Sequence, residues 1–325
     1  MLLVVCRGSS KQTSSCYSGD NTIRHQTSLR YVDAVARVGS IRRASEELEI
    51  TSTALNRRIL AIEAELGVPI FDRMPTGVRL SVAGELFIQH IRKQLADMER
   101  VHSQIADLGG ERRGHVSIVC GQALMNWFIP EMILEYRSKH PAVTFNVRVC
   151  NRDEVEQALT DFSADMALIF EPKLFDGFHS IIEVPQQTRV MFTKNHPLSK
   201  FDIVRLSECT QYPMALPTRA SGVRHLLEQA AMKSSLRLPL VIESDSQALL
   251  LRSLLEANTV SFQIHIGLDE EYANSSIDSR SIDIRDIPVG RLCVGHLKGR
   301  NLPVASARFL DQVANCLHDR HGLRR

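Results

Sequence analysis

Nowhere in the 325 residues does an apolar run approach the ~20 residues that cross a bilayer. Paired cysteines are missing too. The seven cysteines stand at 6, 16, 120, 150, 209, 293 and 316, with no CxxC, which suits neither a disulfide framework nor a zinc site and fits a reducing compartment. There is no GxSxG, no P-loop, no GxGxxG opening a helix and no HExxH. The tightest histidine pair, His318 and His321, lacks further nearby ligands. We therefore expect no catalytic residues, no metal and no cofactor. Nor is charge of one sign in excess: 39 basic and 37 acidic residues leave +2, and the surplus falls within the first 27 residues. If so balanced a chain binds nucleic acid, it does so by placing charges, not by bulk basicity.

What is present reads as globular. Hydrophobic residues make up 44% and charged residues 23%, and the length suits two domains. The opening run Met1–Cys6 is too short for a signal segment and has no basic residues before it. Residues 8–28 are rich in Ser, Thr, Gln and Asn, without periodicity. We expect residues 1–27 to be a disordered extension, the protein to be cytoplasmic, and no membrane partner.

Periodicity begins at residue 28. Ser28 can cap a helix carrying Leu29, Val32, Val35 and Ala36 on one face. Gly39-Ser40 ends it and caps a short second helix with Ala44 and Leu48 inward. Thr51 caps a third, over 52–66, with the apolar stripe Leu55, Ile59, Ile62 and Leu66; Gly67 and Pro69 stop it. Opposite the stripe stand Ser52, Thr53, Asn56 and Arg57. Two short helices joined by about four residues, the second with a polar exposed face, suggest a helix-turn-helix. Its short polar side chains are placed to reach base edges in a major groove, and Arg57 and Arg58 to reach phosphates or guanine. An amphipathic helix with a merely solvated face would look the same. Two short alternating segments, Pro69–Arg73 and Val78–Ser81, flank the turn Met74–Gly77 and make a small β-wing that displays Arg73 and Arg79.

From Leu29 to Gly84 the chain resembles the winged helix-turn-helix of LysR-type transcriptional regulators. The matching residues are Val35-Ala36, Gly39-Ser40, Ala44, Glu47-Leu48, Ala54-Leu55, Arg57, Ile59, Ile62-Glu63, Glu65–Val68, Ile70-Phe71, Arg73, Arg79-Leu80 and Ala83-Gly84. The chain departs from the family's habit in three places. Thr51-Ser52-Thr53 replaces Ser-Gln-Pro at the start of the reading helix. Asn56 replaces a serine, and Arg42 replaces a small hydroxyl residue. Ser52 reaches less far than Gln, whereas Asn56 is suited to bond adenine bidentately. The resemblance implies a DNA-binding domain at 28–87, with Ser40, Arg42, Thr51, Ser52, Thr53, Asn56, Arg57, Arg58, Arg73 and Arg79 as DNA contacts.

After Ser81 the sequence permits helix to about Leu108, and residues 88–113 read as linker helix and hinge. Ile91, Leu95, Met98, His102 and Ile105 step by four, three, four and three, a short heptad-like seam. A helix packed on its own chain fits this pattern; the resemblance favours a homodimer seam and, as a dimer of dimers, a homotetramer.

Residues 114–318 alternate strand and helix, which argues for α/β architecture with largely parallel sheets. Two such lobes resemble a periplasmic-binding-protein-like effector domain, lobe 1 at about 114–187 and 290–318, lobe 2 at about 188–289, with 319–325 as a tail. In that fold a ligand sits at strand C-termini and helix N-termini between the lobes. The candidates are Gln122, Ala123, Leu124, Thr218, Arg219, Ser221, Ser246 and Gln263, with Arg219 available to a carboxylate. Ser221 and Ser246 are good helix caps in any case. Cys120 and Cys150, on strands, read as inert buried thiols.

The expected function is sequence-specific regulation of transcription controlled by a small-molecule effector. The partners are double-stranded DNA carrying an interrupted inverted repeat, the effector, a second copy of the chain and, as a further candidate, RNA polymerase. The alternative is a solute-binding protein, or a small-molecule sensor without specific DNA binding.

Overall fold

In this computed structural model, residues 24–108, 113–255, 258–268 and 276–321 are described. The chain divides into two compact units, Met1–Ile91 and Arg92–Arg325.

The first unit is helical with a small wing. Helix α1 covers Arg24–Val38, α2 Ile41–Glu47 and α3 Ser52–Leu66. Strands β1 (Phe71–Met74) and β2 (Gly77–Leu80) pair antiparallel. Helix α4 runs over Val82–Leu108 and carries the chain across the unit boundary. The expected extension therefore ends earlier than residue 27: Ser28 lies inside α1 and does not cap it, while residues 1–23 fall outside the described residues. Val32, Val35, Ala44, Leu55, Ile59 and Ile70 are fully buried or nearly so. The expected stripe on α3 fades towards its end, with Ile62 half-buried and Leu66 exposed.

Local chemistry fixes the corners. The Ser40 hydroxyl accepts from Arg43 N–H (3.4 Å) and that of Thr51 from Ala54 N–H (3.2 Å), capping α2 and α3. Gly39 takes φ 67° to turn between α1 and α2, and its carbonyl accepts from Val78 N–H in the wing at 2.9 Å. A side chain at Gly77 would stand 2.3 Å from that same carbonyl oxygen, so the wing root needs glycine there. Glu63 accepts from Ile70 and Phe71 N–H at 2.7 and 3.1 Å, tying α3 to β1.

The second unit holds two sheets and their helices. Its elements in order are β3 (Gly114–Cys120), α5 (Phe128–Lys139), β4 (Val143–Val149), α6 (Val155–Thr160), β5 (Met166–Phe170), β6 (Phe178–Gln186), β7 (Thr188–Thr193), β8 (Ile203–Val204), α7 (Leu206–Cys209), β9 (Met214–Pro217), α8 (Gly222–Lys233), β10 (Leu240–Ser244), α9 (Gln247–Ser253), β11 (Ser261–Ile264), β12 (Ile277–Ile282), β13 (Gly290–Leu297) and α10 (Val304–His321). One sheet has the order β4-β3-β5-β13-β6 and another β11-β7-β12-β8. The parallel pair β10-β9 joins the latter through a bridge from Met214 to Val260.

Neither sheet is largely parallel, against expectation. β3 pairs parallel with β4 and β5, but β13 is antiparallel to both β5 and β6, and β7 is antiparallel to β11 and β12. The chain crosses between the sheets after β6 and again after β12. Helix α6 stops at Thr160, and two residues later Phe162 takes φ 58°. The expected tail at 319 is helical as far as His321. Asn258 takes φ 59° shortly before β11.

The bonds between the two sheets' lobes are specific. Trp127 donates its indole N–H to Ile266 O at 2.9 Å, and Ile266 N–H donates to Gln186 Oε1 at 2.9 Å. Gln186 also meets His321 near the C-terminal end of α10, at 3.0 Å.

Candidate functional site

Two surfaces carry the candidate residues. On α3, Ser52, Thr53 and Arg57 are exposed. Ser52 Oγ lies 2.9 Å from Ser45 Oγ on α2, so its hydroxyl is partly committed within the motif. Asn56 Oδ1 accepts from Arg73 of the wing at 3.3 Å. Arg79 faces Asp72 at 3.8 Å across the wing. Arg42 is exposed and pairs with Glu46 at 3.4 Å. Arg58 differs from its neighbour: its guanidinium lies over the Tyr31 ring at 5.5 Å, on the side of α1. Ser40 and Thr51 act first as caps. The exposed candidates are thus Arg42, Thr51, Ser52, Thr53, Arg57, Arg58, Arg73 and Arg79, with Asn56 half-buried and held by Arg73.

In the second unit a cleft of about 70 Å³ opens at the C-terminal ends of β3, β4 and β9. Five of the eight expected residues line it: Gln122, Ala123, Thr218, Ser221 and Gln263. The other three do not. Leu124 is 1% exposed and belongs to the core beside Phe128 and Met132. Arg219 is exposed and pairs with Glu228 at 3.3 Å. Ser246 caps α9, accepting from Leu249 N–H at 3.4 Å. The floor is apolar, from Ile169, Phe170, Val223, Leu250 and Phe262.

Among the polar lining residues, sequence reasoning missed Asn151, Arg152, Ser244, Asp245 and Gln247. The strand-end rule that selected Gln122 after β3 applies equally to β4, and it points to Asn151-Arg152. Arg152 is bound at the waist between the lobes. Its Nε donates to Glu171 O and its backbone N–H to Ala220 O at 3.4 Å. Glu171 takes φ 50°, and its carboxylate accepts from Arg291 N–H at 2.7 Å. Gly222 opens α8 against this waist; a Cβ there would come within 2.2 Å of Phe170 O. Burial, and after it the Arg152 cation, hold the nearby His225 below its ordinary pKa. Cys150 also lines the cleft, but burial pushes its thiol to about 12; Cys120 stands at about 12 for the same reason. Thiols held that high carry almost no thiolate at neutral pH.

On α4 the expected seam divides. Ile91 is fully buried and falls in the first unit, so it is not presented to a partner. Leu95, Met98 and His102 are half-buried, and Ile105 is 61% exposed. Among the described residues no cluster of three or more His, Cys, Asp or Glu is placed to hold a metal ion, and no helix is long and apolar enough to cross a membrane.

Known proteins share this organisation. The family model for the LysR substrate binding domain matches residues 109–316, and that for the bacterial regulatory helix-turn-helix protein, lysR family, matches residues 27–85. The chain belongs to the LysR family. It is a LysR-type DNA-binding transcriptional regulator with an effector-binding domain. The HTH-type transcriptional activator CmpR of Synechocystis sp. is 22% identical over 286 residues, 86% of this chain and 91% of that protein. The HTH-type transcriptional regulator CbbR of Rhodospirillum rubrum is 25% identical over 253 residues, 75% of this chain and 83% of its own length. Among solved structures, a full-length OxyR variant from Pseudomonas aeruginosa has a TM-score of 0.65 at 16% identity, covering 90% of this chain and 94% of that one. Full-length CbnR in complex with its target DNA has a TM-score of 0.59 at 17% identity, covering 89% and 99%. At such identities these structures establish the fold alone.

Proposed function

We propose that this LysR-family protein binds an interrupted inverted repeat as a homo-oligomer in the cytoplasm, and that a small molecule in the cleft selects among its assemblies. The observation that carries the reading is the joint presence of an exposed, capped polar helix flanked by wing arginines and a separate cleft at strand ends. Helix α3 enters a major groove, Arg57 and Thr53 face base edges, and Arg73 and Arg79 meet flanking phosphates. The half-exposed apolar row Leu95, Met98 and Ile105 on α4 supports a dimer, and a dimer supplies the two reading helices that a repeat needs. A tetramer built as a dimer of dimers and contact with RNA polymerase extend the same reading. Regulation rather than turnover is part of this reading, for a cleft lined mainly by carboxamides, hydroxyls and apolar side chains with Arg152 and Asp245 among them.

The cleft is small, and occupants of more than a few heavy atoms require the lobes to part. Binding energy is then coupled to lobe angle, and a ligand shifts the assembly only by its differential affinity for the two states.

The test is a salt-resolved DNA titration of the full-length protein, using the fragment upstream of its own gene and a scrambled fragment. Preference for the native fragment that persists as salt rises supports specific recognition. Equal, weak binding to both counts against it and favours a sensor without specific DNA binding. Two observations favour that second reading: the Asn56 carbonyl is engaged by Arg73, and the Ser52 hydroxyl lies against Ser45.

A further inference from the structure

The cleft contains a cation that the family assignment does not explain. Arg152 lines it, and only its Nε and backbone N–H are used within the described residues, by Glu171 O and Ala220 O. Its two terminal guanidinium nitrogens remain for a ligand. The Ala220 contact sets Arg152 beside the start of α8, a helix of twelve residues with no acidic residue in its first turn. Ser221 is the N-cap of α8, yet its side chain makes no capping bond, and Gly222 presents bare backbone. Arg152 and the first turn of α8, with its orphan N–H groups, thus both line the cleft.

Two carboxamide side chains of the cleft lining keep unused hydrogen-bonding atoms. Gln247 is 6% exposed, lines the cleft and makes no side-chain hydrogen bond among the described residues. Gln263 is 3% exposed; its Oε1 accepts from Ile264 N–H at 2.9 Å, while its amide nitrogen has no partner among the described residues. Their unpaired amide atoms are open to solvent in the cleft, where an occupant can bond them in place of water.

The competing charges are accounted for. Glu171 spends its carboxylate on Arg291 N–H, and Arg219 and Arg224 share Glu228 outside the cleft lining. Asp245 lines the cleft from the β10–α9 turn, in the other lobe from Arg152, and is exposed.

We infer that the effector is a compact organic oxyanion, its carboxylate or phosphate head received by the Arg152 guanidinium and the α8 N-terminus, its polar body hydrogen-bonded by Gln247 and Gln263. The inference rests on the cleft being the effector site. It makes Arg152 the residue that selects for charge, in place of Arg219.

Thermal unfolding of the full chain tests it, at constant ionic strength set with sodium chloride. The probes are inorganic phosphate, glycerate as a carboxylate bearing hydroxyls, and glycerol as the neutral control. Saturable stabilisation by phosphate or glycerate, absent with glycerol, is expected; the tighter probe identifies the head group. Arg152→Gln weakens that response at least tenfold, Arg152→Lys keeps part of it, and Arg219→Gln leaves it unchanged. Circular dichroism confirms that each variant folds. The inference is overturned if neither oxyanion stabilises beyond the chloride control, or if Arg152→Gln responds like the parent. The DNA titration without added ligand separates the two readings. Specific DNA binding without an oxyanion response defeats only the anion assignment. An Arg152-dependent response without specific DNA binding supports the anion assignment and defeats the DNA reading.

Discussion

Asn56 and Arg73 restrain each other across 17 residues of sequence, and this contact bears on how DNA is read. A bidentate bond to adenine needs both the carbonyl and the amide of Asn56. With Oδ1 already accepting from Arg73, the arginine must swing to a phosphate as the asparagine engages a base. Arg73→Ala is expected to lower affinity for all sequences while keeping the preference at the Asn56 position. Asn56→Ala is expected to relax that preference by ~1–3 kcal/mol at one position per half-site. A base-by-base substitution series read by equilibrium binding checks both; an unchanged preference in Asn56→Ala rejects the role. In the second unit the most consequential single residue is Asp165. Its side chain is 9% exposed and pairs at 2.6 Å with Arg300, 7% exposed, while Ser117 N–H and Ser306 Oγ donate to it at 3.0 and 2.8 Å. Removing one partner of such a pair leaves a buried charge uncompensated. Asp165→Ala is expected to lose ~3–5 kcal/mol of unfolding free energy in urea. A loss below ~1 kcal/mol would show that water reaches Arg300 and replaces the carboxylate.

At the scale of elements, helices with caps and a 3.6-residue period are legible from sequence, and strands held by other means are not. Helices α3 and α4 lie at Ser52–Leu66 and Val82–Leu108, where Thr51, Gly67 and Ser81 place their ends. Strand β12 reads Ile-Asp-Ser-Arg-Ser-Ile, without an apolar face. It is held instead by Arg189, which bonds Ser279 and Ser281 at 3.0 Å each. Strand β6 contains Pro185, which argues against a strand until its position is known; β6 is a sheet edge, where a missing N–H is tolerated. Strand direction leaves no mark on side-chain periodicity, so the antiparallel β13 is invisible as such. The cleft is half legible for a related reason. Strand ends can be found, but Arg219 and Arg152 cannot be ranked until Glu228 is seen beside the first. The α4 seam is the element whose role is most easily tested. Leu95→Asp is expected to convert an oligomer to a monomer in light scattering without loss of helical signal. An unaltered mass would place the contact elsewhere.

Across the described residues of the whole molecule, five histidines are shifted the same way, and the shifts set an acid limit. His196, His225, His265, His296 and His321 are all held below the ordinary value of 6.5, in each case first by burial. His196 shows the cause most clearly. It is 2% exposed between Phe192 and Tyr212, its Nδ1 accepts from Leu198 N–H at 3.1 Å, and its Nε2 faces Asn258 O at 3.3 Å. A proton on Nδ1 would break the first of these bonds. At His321, near the Gln186 junction between the lobes, repulsion from His265 adds to burial. Well above pH 6.5 these rings are neutral in both folded and unfolded chains and do not affect the balance. Below 6.5 the unfolded chain takes up protons that the folded chain refuses, so stability falls with pH until the lowered folded values are reached. The carboxylates of Asp283 and Asp286 are held low by Arg285 and Arg205, and their contribution is lost only at pH well under 4. The histidines therefore act first. The thermal midpoint is expected to be level between about pH 7.5 and 8.5 and to drop between about 7 and 5.5. His196→Gln is expected to start from a lower midpoint at pH 7.5 and to fall less steeply, because one of the refused protons is gone. A midpoint that holds steady from pH 7.5 to 5.5 would mean that the folded chain protonates these rings as readily as the unfolded one, and that the lobes admit water to them.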